Sequence, residues 1–207
     1  MADNYLEKKM EQHHAGSGRI ISKQKVSLVS LMEKSRGVNG YNSSYKVRID
    51  QLRRIVAVNG KLFSSCKSPV LSFRLVTAEE AGNVLPCIAA GNIGNDVGLS
   101  LPGHEPNAFV VVCSTVETTP SVYVELGMSL QSMLLQTAEI GLNGMFLMSF
   151  DPAKLAEVLS LPYAPLALLA VGKRADATTE NRFDVKDSSC NGSPIPDIAI
   201  NELIIGQ

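Results

Sequence analysis

The feature that most constrains this chain is one long apolar helix, predicted from Pro120 to Gly141. Proline stands near its start and glycine at its end, the order that helix termini favour. A helix that is apolar on nearly every side is buried on most of its faces. In a chain of 207 residues, we expect a second subunit to supply part of that cover. The apolar positions are Val122, Val124, Leu126, Met128, Leu130, Met133, Leu134, Leu135 and Ile140.

Around this helix, strand and helix patterns alternate along the chain. A continuous β-branched run such as FVVVC predicts an interior strand, and Asp151-Pro152 is a strong helix start, with an N-cap before a proline at the first helical position. Strands are predicted at 70–76, 109–113, 143–149 and 166–171, and near the end of the chain in IAINELIIGQ. Helices are predicted at 20–34, from about Asp50 to Asn59-Gly60, at 78–85 before Pro86, and after Asp151; loops are predicted at 37–44, 91–106 and 175–196.

This alternation predicts an α/β or α+β fold with a single domain over residues 1–207. Within it, residues 1–34 form an N-terminal helical segment, and residues 175–207 form a C-terminal loop and strand.

Charge and composition exclude several classes of protein. The net charge of −1 gives no basic field for nucleic acid. No apolar run reaches the roughly 18–20 residues that cross a bilayer, and the N-terminus lacks the apolar core of a signal peptide, so we expect a cytoplasmic protein without a membrane partner. Cys66, Cys87, Cys113 and Cys190 form no CxxC or zinc spacing. They are interpreted as structural thiols, and no metal site is predicted.

Four sequence blocks, taken together and in order, resemble the FMN-dependent nitroreductase family. The third is the most specific, because an acidic residue, glycine, glutamine, a leucine run, GL-x-G and FDP follow one another. The four blocks cover most of residues 32–174. They are MEKSRGVNGY with IDQLRRIV, LFSSCKSPVLSFRLVT, VELGMSLQSMLLQTAEIGLNGMFLMSFDPAKLAEVLSLP, and PLALLAVGKRAD.

The resemblance implies an α+β fold with a mixed central β-sheet flanked by helices, assembled as an intertwined homodimer. The C-terminal segment of such proteins crosses over and adds a strand to the partner's sheet. FMN lies in a cleft between the protomers, and NAD(P)H and a small-molecule acceptor take turns at its open face. No side-chain nucleophile is required, because the hydride chemistry belongs to the flavin. No catalytic residue is therefore predicted.

The resemblance also implies a set of cofactor-binding residues. Those at the start of the first block and at the end of the fourth correspond to the phosphate end of the site. Those of the second block line the ring and the ribityl chain, and those after the long helix approach the flavin by their backbone. The set is Ser35, Arg36, Gly37, Asn39, Ser64, Ser65, Lys67, Leu142, Asn143, Gly144, Gly172 and Lys173.

Ordinary structural roles remain open for several of these positions. Ser64 and Ser65 could cap a turn, Gly144 could be a helix-to-strand turn residue, and Lys173 could belong to a solvated strand end with Arg174.

The phosphate end departs from the family pattern. The usual opening Arg-Arg-Ser-x-Arg is here Ser35-Arg36-Gly37-Val38-Asn39, and Asp197 follows Pro196 where a cation is common. Losing two or three charge-assisted contacts would weaken phosphate binding by roughly three to five powers of ten without compensation. Two functions therefore stay open. One is an FMN-dependent NAD(P)H oxidoreductase that reduces nitroaromatic, quinone or similar acceptors by a ping-pong mechanism, and the other is a flavin-less dimeric relative that binds another small ligand.

Overall fold

The computed structural model describes residues 26–36, 40–62, 69–88, 103–175 and 203. Its helices are α1 (Leu28–Ser35), α2 (Ile49–Ala57), α3 (Ala81–Val84), α4 (Pro120–Glu139) and α5 (Pro152–Leu159), with 3₁₀ turns at Val58–Lys61 and Leu85–Cys87. Its strands are β1 (Leu71–Val76), β2 (Ala108–Ser114), β3 (Asn143–Leu147) and β4 (Ala164–Gly172).

The four strands form one sheet in the order β1-β2-β4-β3. Every pairing among the described strands is antiparallel, with Leu71 opposite Ser114, Val110 opposite Leu169, and Asn143 opposite Gly172. The parallel pairing that a mixed sheet needs is not among them. The architecture of helices around this sheet confirms the predicted α+β fold class.

Helices cover both faces of the sheet, and this explains the continuous apolar runs. On one face, Val110 and Leu169 pack with α2 and α4 in a core that we call the α4-side core. On the other, Phe109 and Leu168 pack with α3 and α5 in the α5-side core. A strand buried on both faces has no solvent-facing position for a polar residue. All seven residues of β2 are accordingly buried.

The long helix ends in a Schellman motif that fixes the start of β3. Gly141 has a φ of +76°, a left-handed conformation that glycine adopts without strain. The Gly141 N–H donates to the Ala138 carbonyl over 3.1 Å, and the Leu142 N–H donates to the Thr137 carbonyl over 3.0 Å. The chain therefore turns sharply and enters β3 at Asn143.

Two sequence predictions differ from the structure in detail. The second helix ends at Ala57, before the predicted stop at Asn59-Gly60, and the backbone then tightens into the 3₁₀ turn Val58–Lys61, a common way for a helix to satisfy its last carbonyls. Of the predicted C-terminal strand, the structure describes only Leu203, which is helical. At that residue the strand prediction is wrong. Spacings such as Ile200, Leu203 and Ile204 suit a helix as well as a strand, and a short run cannot separate the two.

Across the described ranges, no helix combines the length and the apolar character needed to cross a membrane.

Candidate functional site

Several of the predicted site residues meet at one end of the sheet, where β3 begins and β4 ends. Asn143 lies directly opposite Gly172 in the register, so Leu142 and Lys173 flank the same pair. The Schellman turn positions the β3 side, and the backbone pairing positions the β4 side. We call this end of the sheet, with residues 34–36, 142–144 and 172–174, the basic corner.

The C-terminal end of α1 reaches the same corner. The Asn143 Nδ2 donates to the Lys34 carbonyl over 3.4 Å, which connects the last turn of α1 to the first residue of β3. Ser35 follows, and its Oγ donates to the Met32 carbonyl over 2.8 Å. Arg36 is exposed and ends the helix in an extended conformation. The end of α1, with Ser35 and Arg36, is thus brought beside Asn143, which lies far along the chain.

The C-terminal end of α1 is unfavourable for an anion. The carbonyls at a helix C-terminus carry the negative end of the helix dipole. A phosphate near Ser35 therefore gains nothing from α1, and side-chain cations must supply the attraction. The basic corner contains four: Lys34, Arg36, Lys173 and Arg174.

Leu142 and Gly144 face the protein interior. Leu142 is buried in the α4-side core. A Cβ built on Gly144 would lie 3.0 Å from Leu134 Cδ2 and 3.3 Å from Leu169 Cδ1, also in that core. The small size of Gly144 therefore has a packing reason that sequence reasoning did not consider. Contact of these residues with a ligand stays a prediction, and it concerns their backbone.

Gly172 makes room for a buried tyrosine. A Cβ at Gly172 would lie 2.4 Å from Tyr41 Cδ1, so no side chain fits there without moving the ring. The Tyr41 backbone forms a β-bridge with Arg174, and its N–H donates to the His104 carbonyl over 2.9 Å. Gly172 thus lets Tyr41 close this end of the sheet.

Tyr41 also carries a buried hydroxyl group. Its hydroxyl is buried and has no hydrogen-bond partner in the part of the chain that the structure describes. Burial raises the pKa of Tyr41 well above its ordinary value. No periodic pattern in the sequence marks a tyrosine in a glycine-rich loop as buried, so the burial of Tyr41 was not predicted.

Lys173 points its ammonium group at a second tyrosine. Its Nζ lies 5.5 Å from the centre of the Tyr45 ring, within the range of a cation–π interaction. Lys173 is exposed and Tyr45 is half-buried. The lysine is therefore a cation at the surface of the corner, with one side resting on an aromatic ring.

The remaining predicted site residues are Gly37, Asn39, Ser64, Ser65 and Lys67, and they lie outside the described residues.

Comparisons with known proteins agree with this fold. The model of the nitroreductase family matches residues 104–173, about a third of the chain, which include β2, α4, β3, α5 and β4. No curated protein matches the sequence.

Solved structures with this fold include a nitroreductase family protein of Clostridium difficile 630, with 19% identity, a TM-score of 0.62, and coverage of 86% of this chain and 97% of that one. The FMN and NADPH-dependent nitroreductase of Sphigopyxis sp. strain HMH has 18% identity and a TM-score of 0.66, with coverage of 88% and 99%. The nitroreductase family protein of Streptococcus pneumoniae TIGR4 has 12% identity and a TM-score of 0.64, with coverage of 87% and 100%. At these identities the likeness concerns the fold.

Proposed function

We propose that this chain is an FMN-dependent NAD(P)H oxidoreductase of the nitroreductase family, whose model matches residues 104–173. Nitroaromatic, quinone or similar compounds are the acceptors, in a ping-pong reaction. The observation that carries the proposal is the basic corner, where Asn143 contacts Lys34, near Arg36, and lies opposite Gly172, the neighbour of Lys173. The Sphigopyxis structure, described as FMN and NADPH-dependent, supports it by its fold.

The residues of the corner fit the phosphate end of FMN. A phosphate near neutral pH is close to a dianion and needs cations and N–H donors. Arg36, Lys173 and Arg174 are the cations, and the amide of Asn143 is a neutral donor within the same corner. Each charge-assisted contact contributes roughly 1.5–3 kcal/mol. Lys173 can therefore offset part of the charge that the opening motif lacks.

The chain's own contribution to the chemistry is binding and orientation. FMN, when bound, supplies the hydride transfer. Arg36 and Lys173 would hold the phosphate, and the backbone from Leu142 to Gly144, fixed by the Schellman turn, would border the flavin. Because Leu142 and the Cβ position of Gly144 face the core, this border would meet the flavin with peptide groups instead of side chains.

A second copy of the chain completes the site in this proposal. Apolar side chains lie exposed on β3 and on the helices α1 and α4. Scattered single residues would need no such explanation, but these are grouped by element. Val29 is 64% exposed and Val124 is 62% exposed. A homodimer buries these surfaces and forms the cleft for the flavin. The exposed apolar residues in question are Leu28, Val29 and Met32 of α1, Tyr123 and Val124 of α4, and Phe146 of β3 with Met148 after it.

Titration of the purified protein with FMN tests the cofactor. We expect saturable quenching of flavin fluorescence and a yellow protein. Arg36→Ala should weaken binding roughly ten- to a hundredfold, because it removes one charge-assisted contact. Arg53→Ala, an exposed arginine on α2, is the matched control and should bind FMN like the parent protein. Equal affinities for the two variants would contradict the role of Arg36.

The altered opening motif favours one alternative, a flavin-less dimer that binds another small ligand. Gly37 and Asn39 stand where the family carries a hydroxyl and an arginine. A protein that stays colourless after incubation with FMN, and shows no quenching, would select this alternative.

A matched pair of valine variants tests the dimer. Val29 on α1 and Val158 on α5 are both exposed, at 64% and 41%. Val29→Asp should dissociate the dimer, because it places an unpaired charge in a closing apolar interface. Val158→Asp should leave the dimer intact. Sedimentation velocity over a range of concentrations separates the two, and a parent protein that is monomeric throughout would overturn the dimer.

A further inference from the structure

Tyr45 is held in place from three sides. Its N–H donates to the Asn42 carbonyl over 3.1 Å, and its own carbonyl accepts a hydrogen bond from the Asn107 side chain. Its hydroxyl accepts a hydrogen bond of 2.9 Å from Gln51 Nε2. Both the backbone and the far end of the ring are therefore fixed.

Gln51 is itself fixed, and this determines how it meets Tyr45. Its Oε1 accepts the Arg48 N–H over 3.0 Å at the start of α2, as in a capping box. With the oxygen used in this way, the amide must direct its NH₂ group to the tyrosine. The first turn of α2 thus fixes the orientation of the Tyr45 ring through Gln51.

The backbone connects this tyrosine to Lys173 in a closed set of contacts. The Asn42 N–H donates to the Lys173 carbonyl over 2.8 Å, and Asn42 in turn accepts the N–H of Tyr45. The Lys173 ammonium returns to the Tyr45 ring at 5.5 Å. The backbone carbonyl and the ammonium group of Lys173 therefore both contact the turn from Asn42 to Tyr45.

We propose that Tyr45, braced by Gln51, is a positioning residue that holds the Lys173 ammonium ready for the phosphate group of the ligand. The inference rests on the flavin function proposed above. Lysine has a flexible four-carbon stem, and a binding site must restrict it before its charge is useful. A ring face restricts the stem while leaving ammonium donors for an anion. The restriction is made before the ligand arrives, which lowers the entropic cost of binding.

The size of the effect follows from the contact. An exposed cation–π interaction accounts for about a two- to fivefold change in an equilibrium constant. We expect Tyr45→Leu to weaken FMN binding by about this factor. Tyr45→Phe keeps the ring face but loses the hydrogen bond from Gln51, so its affinity should lie between those of the parent protein and Tyr45→Leu. Lys173→Met should weaken binding roughly ten- to a hundredfold, whereas Lys61→Met, at an exposed lysine of the 3₁₀ turn, should have no effect.

A double-mutant cycle separates positioning from a general structural role. If Tyr45 acts through Lys173, Tyr45→Leu should have almost no further effect in a Lys173→Met protein. A loss of the same two- to fivefold in both backgrounds would mean that the ring acts on binding by another route, and the proposal would be overturned.

A second readout does not depend on flavin. In the protein without FMN, the ring current of Tyr45 should shift the Lys173 ε-methylene resonances upfield in a ¹³C-lysine spectrum. The shift should persist in Tyr45→Phe and disappear in Tyr45→Leu. Absence of the shift in a parent protein that binds FMN would overturn the positioning role alone. The shift in a parent protein that does not bind FMN would overturn the flavin function, and with it the assignment to a flavin phosphate.

Discussion

Helices α1 and α5 are matched in length and in their first turn, yet only α5 buries apolar side chains in its own chain. Each has eight residues, and each begins at a side-chain cap, Ser27 for α1 and Asp151 for α5. Helix α5 buries Leu155 and Leu159 in the α5-side core. No residue of α1 is buried in the described part of the chain.

This difference teaches that the local signals of a helix do not reveal what covers it. Helices of eight residues are too short to be stable alone in water, and tertiary packing supplies most of their stability. Helix α5 obtains that packing from the sheet. Helix α1 lies beside α4 and β3 but leaves apolar residues exposed, among them Val29. We have proposed that a second copy of the chain covers this exposed face.

The largest expected effect comes from truncating one apolar residue on each helix. Leu155 is fully buried and Met32 is 44% exposed. Leu155→Ala should lower the free energy of unfolding by about 2–5 kcal/mol, through lost burial and a cavity. Met32→Ala should act mainly on the association of two chains. Urea unfolding at protein concentrations far above and far below the dimer dissociation constant measures both.

The concentration dependence decides whether the comparison holds. The loss in Leu155→Ala should be the same at both concentrations, and the loss in Met32→Ala should be confined to the high one. An equal loss for Met32→Ala at both would mean that Met32 is buried against its own chain in solution, and the contrast between the two helices would disappear.

The sequence predicted β2 and β4 well because these two strands are buried on both faces. The run Phe109 to Cys113 lies inside β2, which extends it by one residue at each end, and the cap at Asp151 begins α5 as expected. These predictions depend on the nearest residues in the chain. The prediction that α4 is buried on most faces depended instead on a partner, and Tyr123 and Val124 remain exposed in the single chain.

The basic corner was predictable only in part, for the same reason. The family resemblance pointed to Ser35, Arg36, Asn143 and Lys173. It did not point to Tyr41 or Tyr45, the two tyrosines that pack against the corner. The contact that fixes the Tyr45 backbone comes from Asn107, which is 62 residues away. Such contacts leave no periodic signal in the sequence, so only the folded chain reveals them.

A smaller effect is expected in the pH dependence of stability, because the Cys113 thiol lies under the cover that α5 provides. Cys113 lies in the α5-side core, and burial raises its pKa from about 9 to about 11. The unfolded chain therefore loses this proton first as the pH rises. The stability contributed by the protonated thiol is complete below about pH 9 and falls as the pH approaches 11, by about 1 kcal/mol at pH 10.

Urea unfolding between pH 8 and pH 10.5 (about the accessible range) measures this loss. The alkaline loss should shrink in Cys113→Ala, which lacks the thiol. It should also shrink in Leu155→Ala if water then reaches the core. An unchanged pH dependence in Cys113→Ala would show that other groups cause the loss, and that the thiol does not report on the α5 side.

The smallest effect comes from the two helix caps, which are alike in chemistry. Ser27 Oγ accepts the Ser30 N–H over 3.1 Å, and Asp151 Oδ1 accepts the Lys154 N–H over 3.0 Å. Asp151→Ala should cost about 1 kcal/mol of global stability, because fraying of α5 uncovers Leu155. Ser27→Ala, measured below the dimer dissociation constant, should cost only a few tenths, since α1 can fray without exposing any residue that was buried. Chemical denaturation of the two variants side by side tests this ratio. Equal costs at low concentration would mean that α1 is anchored to its own chain despite its exposed apolar face, and the need for a second copy would lose its main physical argument.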